Sequence, residues 1–336
     1  MSFNPGGTAG DMVRMIDIAE RAGVSLGTVS AVLSGRGKSI RFSKEKAEKI
    51  RAIAREMNYI PNFSAKMLSG QSSYTLGVLV DSEDVAVRFE QLAAIEREAE
   101  QCGYRLLVAE AHRNPEKQLM NYRTLRQYGV DGVICHVNSI HDELRGESGV
   151  VLYGAEPVEG FSTVCYDVRS GYAEALAAFE AEGRRNVALA IREQPEFDSI
   201  RARRRAFREL CPHGQIYALP EADCDMREAA EKLVRTFIRP REIDAVILQN
   251  DVWALALLFE LLHCGVRVPE EISLVGQDNS QFCRCTRPAL STIDSNLNGL
   301  GKAVMESMLE RIAEPDAPLR AVSVETWLIR RETTLG

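Results

Sequence analysis

The sequence predicts an α/β protein in two parts: an N-terminal helix-turn-helix head, and a two-lobed body of parallel sheets flanked by helices. Three observations carry this. Helix start and stop signals crowd the first 60 residues. From about residue 73, apolar strand-like runs alternate with amphipathic segments. Charge divides at the same place: residues 1–75 hold 11 Lys and Arg against 6 Asp and Glu, the remainder 30 against 42. A basic head on an acidic body suits a nucleic-acid-binding module joined to a domain with another task.

In "MIDIAERAGVSLGTVSAVLS", Ile16, Ile18, Ala19 and Ala22 share one helical face, and Gly23 supplies the left-handed stop. Ser25 reads as the N-cap of a second helix whose Val29, Val32 and Leu33 face inward. Two short helices meeting at a glycine make a helix-turn-helix, although a helical hairpin without a ligand would read the same. A third helix starts at Ser43, with Ala47, Ile50, Ala54 and Met57 at spacings of three and four, and Pro61 is its expected stop. In "NFSAKMLSGQSS", Ala65 and Leu68 share a face of one or two turns before Gly70, too short a helix to persist alone in water.

Between the second and third helices lies "SGRGKSI", which ends like a phosphate-gripping nucleotide loop. Such a loop needs a glycine five residues before Gly37 and a strand leading in, because its backbone N–H groups must wrap the phosphates. Position 32 is valine and the lead-in is helical, so the nucleotide reading fails. Arg36, Lys38 and Arg41 instead follow the second helix in a loop, where cations neutralise DNA phosphates without reading sequence; a solvated loop is the alternative.

In the body, "TLGVLV", "RLLVAEA", "DGVICHV", "NVALAI", "DAVILQN" and "ISLVGQD" read as buried strands, separated by helical stretches such as "RFEQLAAIEREAEQCG" and "VWALALLFELLHCG". In open sheets of this kind ligands bind beyond the carboxyl ends of the strands. Polar residues there are the binding candidates: Asp81, Asp167, Asn250 and Asp251, Asp278 and Asn279. Asn250 and Asp278 could equally cap the helices that follow, and the two roles can coexist.

Composition excludes other classes. No stretch approaches the roughly 18 apolar residues of a membrane span, and the start has no apolar signal region, so a cytoplasmic location is expected. Eight cysteines without a CxxC pair suit reduced thiols, and neither a metal site nor a cofactor is expected. There is no GxSxG, HExxH or GxGxxG, and the five histidines are scattered, so no enzyme is expected. The rival reading is a transport-type solute-binding protein, which explains the body but not the basic head.

The order "DIAERAGVS..TVS.VL", then "MNYIPN.SA..L.G", then "TLGVLV" resembles the lactose/galactose-repressor (LacI/GalR) family of bacterial transcription regulators, from about Met15 to Thr334. The strings "QND..ALA", "VPEEISLVGQD" and "P.LSTID" resemble its effector domain, related to periplasmic sugar-binding proteins. The resemblance implies a DNA-binding domain over 12–60, a hinge helix and linker over 61–72, and an effector-binding and dimerisation domain over 73–336. It further implies an N-lobe of 73–164 and 294–323 and a C-lobe of 165–293 and 324–336. By resemblance, Leu26, Gly27, Thr28, Ser30 and Ala31 lie on the groove-facing surface; Ser25 at the start of that helix, and Arg36 and Lys38 in the loop after it, are further DNA-binding candidates. Asn62, Ala65, Lys66 and Leu68 line the hinge at the minor groove, and Leu68 matches the leucine that wedges between base pairs. Arg203, Asn250 and Asp278 fall where the family holds its effector, with Asp81 and Asp167 as further candidates. The expected function is a homodimeric repressor on pseudo-palindromic operator DNA, controlled by a sugar or related metabolite between the lobes. Two departures stand out. Leu26, Gly27 and Ala31 cannot hydrogen-bond base edges, and the cluster Arg201 to Arg205 leaves an acidic or phosphorylated effector as open as a neutral sugar.

Overall fold

The computed structural model describes residues 13–33, 42–59, 72–80, 85–112, 114–137, 142–194, 197–220 and 224–335. Within these, the chain forms two compact units that divide between Gln71 and Ser72.

The first unit is a three-helix cluster of α1 (Met15–Ala22), α2 (Leu26–Leu33) and α3 (Lys44–Glu56). Its core is Ile18, Val29, Val32, Ile50 and Ile53, one or two apolar residues per turn from each helix. Local chemistry fixes the boundaries. The Arg14 N–H donates to the Asp17 carboxylate at 2.7 Å ahead of α1. Gly23 then closes α1 at φ +68°, its N–H donating to the Glu20 carbonyl and that of Val24 to the Ala19 carbonyl. Ser43 caps α3 by accepting the Lys46 N–H at 3.2 Å. α3 ends at Glu56 rather than running to Pro61: Asn58 adopts φ +49°, and the Tyr59 N–H donates back to the Ala54 carbonyl. The asparagine supplies the left-handed residue that terminates a helix, so no proline is needed.

The second unit contains two six-stranded sheets. The first has the order β11-β5-β4-β3-β1-β2, from β1 (Thr75–Val80), β2 (Arg105–Glu110), β3 (Gly132–His136), β4 (Val150–Gly154), β5 (Ser162–Asp167) and β11 (Ala321–Glu325). All its pairings are parallel. Helices α4 (Val85–Gln101), α5 (Pro115–Gln127) and α10 (Leu297–Ala313) cover it. The second sheet has the order β12-β10-β9-β8-β6-β7, from β6 (Val187–Arg192), β7 (Gln215–Leu219), β8 (Ala245–Leu248), β9 (Ser273–Gln277), β10 (Ser291–Asp294) and β12 (Trp327–Ile329). It is parallel except for β12, which runs antiparallel to β10. Its helices are α6 (Val168–Ala181), α7 (Asp198–Leu210), α8 (Met226–Leu233) and α9 (Asp251–His263).

Strands covered on both faces must be apolar throughout, which is why "GVICH" and "AVIL" are continuous runs and fully buried. The chain passes between the lobes three times, after Asp167, after Asp294 and after Glu325. β5 and β11 stay paired through Asp167 and Glu325, two or three residues beyond the expected 164 and 323. These crossings bring the carboxyl ends of both sheets to one cleft.

Candidate functional site

On the head, the exposed residues of helix α2 are Leu26, Gly27 and Ser30, with Thr28 half-buried between them. The Ser25 hydroxyl accepts the Thr28 N–H at 3.3 Å and lies 2.9 Å from the Thr28 hydroxyl, so both side chains serve the first turn of the helix. Leu26 is 48% exposed, a large apolar side chain held in water next to Gly27 and Ser30, which are also exposed. Ala31 departs from expectation: it retains only 9% of its surface. Its methyl is short and lies close to the helix backbone, so it offers no open surface beside Leu26, Gly27 and Ser30. Arg36, Lys38, Asn62, Ala65, Lys66 and Leu68 lie outside the described residues, as does Asp81.

In the body, a narrow polar cleft lies between the carboxyl ends of the two sheets. It gathers Arg203, Asn250 and Asp278 from the second lobe with Arg88, Gln91, His136 and Tyr166 from the first, and Ser295 from a crossing. Three of the proposed binding residues therefore meet. Asp167 does not line the cleft: its carboxylate turns back to accept the Arg169 and Ser170 N–H groups at 3.1 and 3.2 Å as the N-cap of α6. A strand that passes directly into a helix leaves exposed N–H groups within reach of the intervening carboxylate, and capping wins. Asp251 is likewise occupied, accepting from the Thr292 hydroxyl at 2.6 Å and the Ser280 N–H at 2.7 Å.

Asn250 does both jobs at once. Its Oδ1 accepts the Trp253 N–H at 3.0 Å as the cap of α9, and its amide Nδ2 is the half of the side chain the cap does not use. Asp278 sits at φ +99°, a conformation that side chains with a Cβ rarely adopt. Its surroundings impose this: its N–H donates to the Ile293 carbonyl at 2.9 Å, and the Ser295 hydroxyl donates to its Oδ1 at 3.0 Å. Asn279, next along at φ +51°, is pinned between Arg331 and Asp294, each at 2.7 Å.

The cluster from Arg201 to Arg205 divides by direction. Arg201 and Arg205 both pair with Glu156, at 3.1 and 2.9 Å, and Arg204 lies 4.0 Å from Glu193. Arg203 alone of these lines the cleft, where one Nη donates to the Gln249 carbonyl at 3.0 Å. Across from it, Arg88 donates to the Gln91 Oε1 at 2.9 Å, and Gln91 passes the chain on to the Tyr166 hydroxyl at 2.6 Å. Burial and the neighbouring Arg88 cation hold His136 well below the usual imidazole value, so the ring is neutral at pH 7. Burial pushes the Tyr166 phenol far up, so it stays protonated as a donor.

Sequence reasoning missed Arg88, Gln91, His136, Tyr166 and Ser295. His136 and Tyr166 close the runs "GVICH" and "STVCY", so the strand-end rule applied without a preference for carboxylates reaches them. Arg88 lies inside a helix and carries no such signal.

Residues 14–62 match the family described as bacterial regulatory proteins, lacI family, and residues 176–334 match the periplasmic binding protein-like domain. The chain is 27% identical over 336 residues to the HTH-type transcriptional repressor PurR of Klebsiella pneumoniae (strain 342), covering 96% of this chain and 97% of that protein. It is equally similar to PurR of Escherichia coli O139:H28, at 27% with the same coverage. Its fold matches a crystal structure of the lac repressor dimer bound to operator and the anti-inducer ONPF, with a TM-score of 0.83 at 23% identity, over 96% of this chain and 99% of that one. With a lacI-type helix-turn-helix match at its head, a periplasmic binding protein-like match over its body and repressors as full-length relatives, the chain is similar along its length to the lacI family of bacterial regulatory proteins.

Proposed function

We propose that this protein is a homodimeric, sequence-specific transcriptional repressor whose DNA affinity is set by a small metabolite, a sugar or related compound, bound between the lobes of its body. It acts in the cytoplasm, on the chromosome; no described helix is long and apolar enough to cross a membrane. The observation that carries the reading is the pairing of an open α2 face on a basic head with a polar cleft that draws Arg203, Asn250 and Asp278 together. In this reading Leu26, Gly27, Thr28 and Ser30 face the major groove, with Ser25 holding the start of the reading helix. Arg36 and Lys38 neutralise phosphates. Asn62, Ala65, Lys66 and Leu68 form the hinge in the minor groove, where a leucine wedge kinks the duplex. With few base-edge hydrogen bonds available from α2, specificity leans on thymine methyl contacts and on the deformability of the operator centre. Two identical subunits imply two half-sites in a pseudo-palindrome.

The test is a selection of bound sequences from random DNA with the full-length protein at two salt concentrations. The expected result is a pseudo-palindrome with a flexible central step, whose preference survives at the higher salt. Binding that is sequence-blind and vanishes with salt overturns the reading, because phosphate contacts alone behave that way.

A further inference from the structure

Resting on the reading of the cleft as the effector site, we infer that the effector is a hydroxylated carboxylic acid, with its carboxylate held between Arg88 and Arg203. The arginines of α7 give the first reason. Arg201, Arg204 and Arg205 each have an acidic side chain within 4.0 Å, whereas Arg203, the one that lines the cleft, has none among the described residues. Arg88, on the opposite lobe, has none either. A buried guanidinium needs an anion, or its five donors need acceptors. The buried Nε atoms of both arginines lack any hydrogen-bond partner among the described residues, although each side chain is anchored through one Nη. A fork anchored through one Nη, with its Nε edge unpaired, suits bidentate recognition of a planar anion.

The remainder of the cleft specifies the other end of the molecule. The buried Gln277 Oε1 has no donor among the described residues and calls for a hydroxyl donor; the Asp278 carboxylate, which already accepts the Ser295 hydroxyl, lines the cleft beside it. Charge selects the type of acid. Asp278 lines the cleft with the two arginines but forms an ion pair with neither, and Asp198 accepts the N–H of Ala155, another lining residue, at 2.5 Å. A single carboxylate is accommodated there, whereas a phosphate dianion would bring two negative charges against those acids. An anion shared by one arginine from each lobe also ties lobe closure to its binding.

The test is isothermal titration of the full-length protein against D-gluconate, D-glucuronate, D-glucose, D-glucose 6-phosphate and a panel of small hydroxy acids, with thermal unfolding as a second readout. At least one hydroxy acid binds about 10- to 100-fold more tightly than its neutral counterpart, and that preference is lost in Arg88→Gln and in Arg203→Gln. Arg88→Lys keeps the charge without the fork and recovers only part of it. A neutral or phosphorylated sugar that binds more tightly than every acid, in a manner abolished by Asp278→Asn, overturns the acid class and leaves the cleft as the effector site. An acid whose affinity is unchanged in both arginine variants shows that the cleft itself was misassigned. No response to any acid across the panel also overturns the proposal.

Discussion

Single residues in the cleft have consequences that protons can report. His136 is 1% exposed, packs edge-on against Tyr153 with ring centroids 5.1 Å apart, and shares the cleft with Arg88. Its folded pKa lies below the unfolded value near 6.5. The unfolded chain therefore takes up the proton first as pH falls. The neutral ring contributes its full stability above pH 6.5, and that contribution is lost as pH falls from 6.5 through the folded pKa, by up to about 1.4 kcal/mol per pH unit. Urea unfolding of the full-length protein without effector, compared between pH 7.5 and 5.5, should show a shallower loss in His136→Gln than in the natural protein; equal slopes would refute the assignment. This residue also shows where sequence reading stops. The apolar run before it made the strand legible, but whether a strand-end histidine faces water or an arginine depends on α4, a separate element. The same holds for Asp167, which the sequence offers to the ligand on the same grounds as Asp278, and which the local geometry commits to a helix cap instead.

At the scale of elements, the helix ends and strands were legible because each is decided by neighbours in sequence: Gly23 for α1, Ser25 for α2, Ser43 for α3, and unbroken apolar runs for the central strands. Replacing Gly23 by alanine puts a Cβ at φ +68° and should destabilise the head by about 1 kcal/mol. Ser43→Ala should cost a similar amount, about 1 kcal/mol, by removing the cap of α3. Because the head is a separate compact unit, both losses should appear in its own unfolding transition and leave effector binding unchanged, which calorimetry can resolve. Contacts between elements were not legible. Gly301 in α10 approaches α4 so closely that a Cβ there would sit 2.6 Å from the Ala94 carbonyl oxygen and 2.8 Å from its carbon. Backbone cannot yield as a flexible side chain does, so Gly301→Ala should push the two helices apart. The expected loss is about 1–3 kcal/mol in the body, measured by chemical denaturation, with the head transition unmoved. Nothing in "LGKAVMESMLERIA" distinguishes this glycine from a tolerated one, since the constraint comes from a helix some 200 residues earlier in the chain.

For the whole molecule, the division of charge between head and body separates two kinds of interaction: salt-sensitive contact with phosphates, and recognition of a metabolite in a confined cleft. A repressor must couple them, and the coupling is a single free energy. If effector changes operator affinity by some factor, operator changes effector affinity by the same factor. Such coupling is typically about 5- to 150-fold, and it requires the effector to bind the lobe arrangements of the two states unequally. On the proposed reading, in which residues 61–72 are the hinge and Leu68 its wedge, the coupling should act there, because a helix of one or two turns forms only with a partner. Leu68→Gly removes both the wedge and helix propensity. Operator affinity should fall strongly, by at least about tenfold as expected for losing a wedge worth a few kcal/mol. Effector affinity measured without DNA should not change, and the ability of effector to alter operator binding should shrink with it. Fluorescence anisotropy with labelled operator, titrated with and without effector, reads all three. Unaltered operator affinity in Leu68→Gly would place the hinge elsewhere; a fall in effector affinity without DNA would mean that this leucine supports the body rather than the DNA.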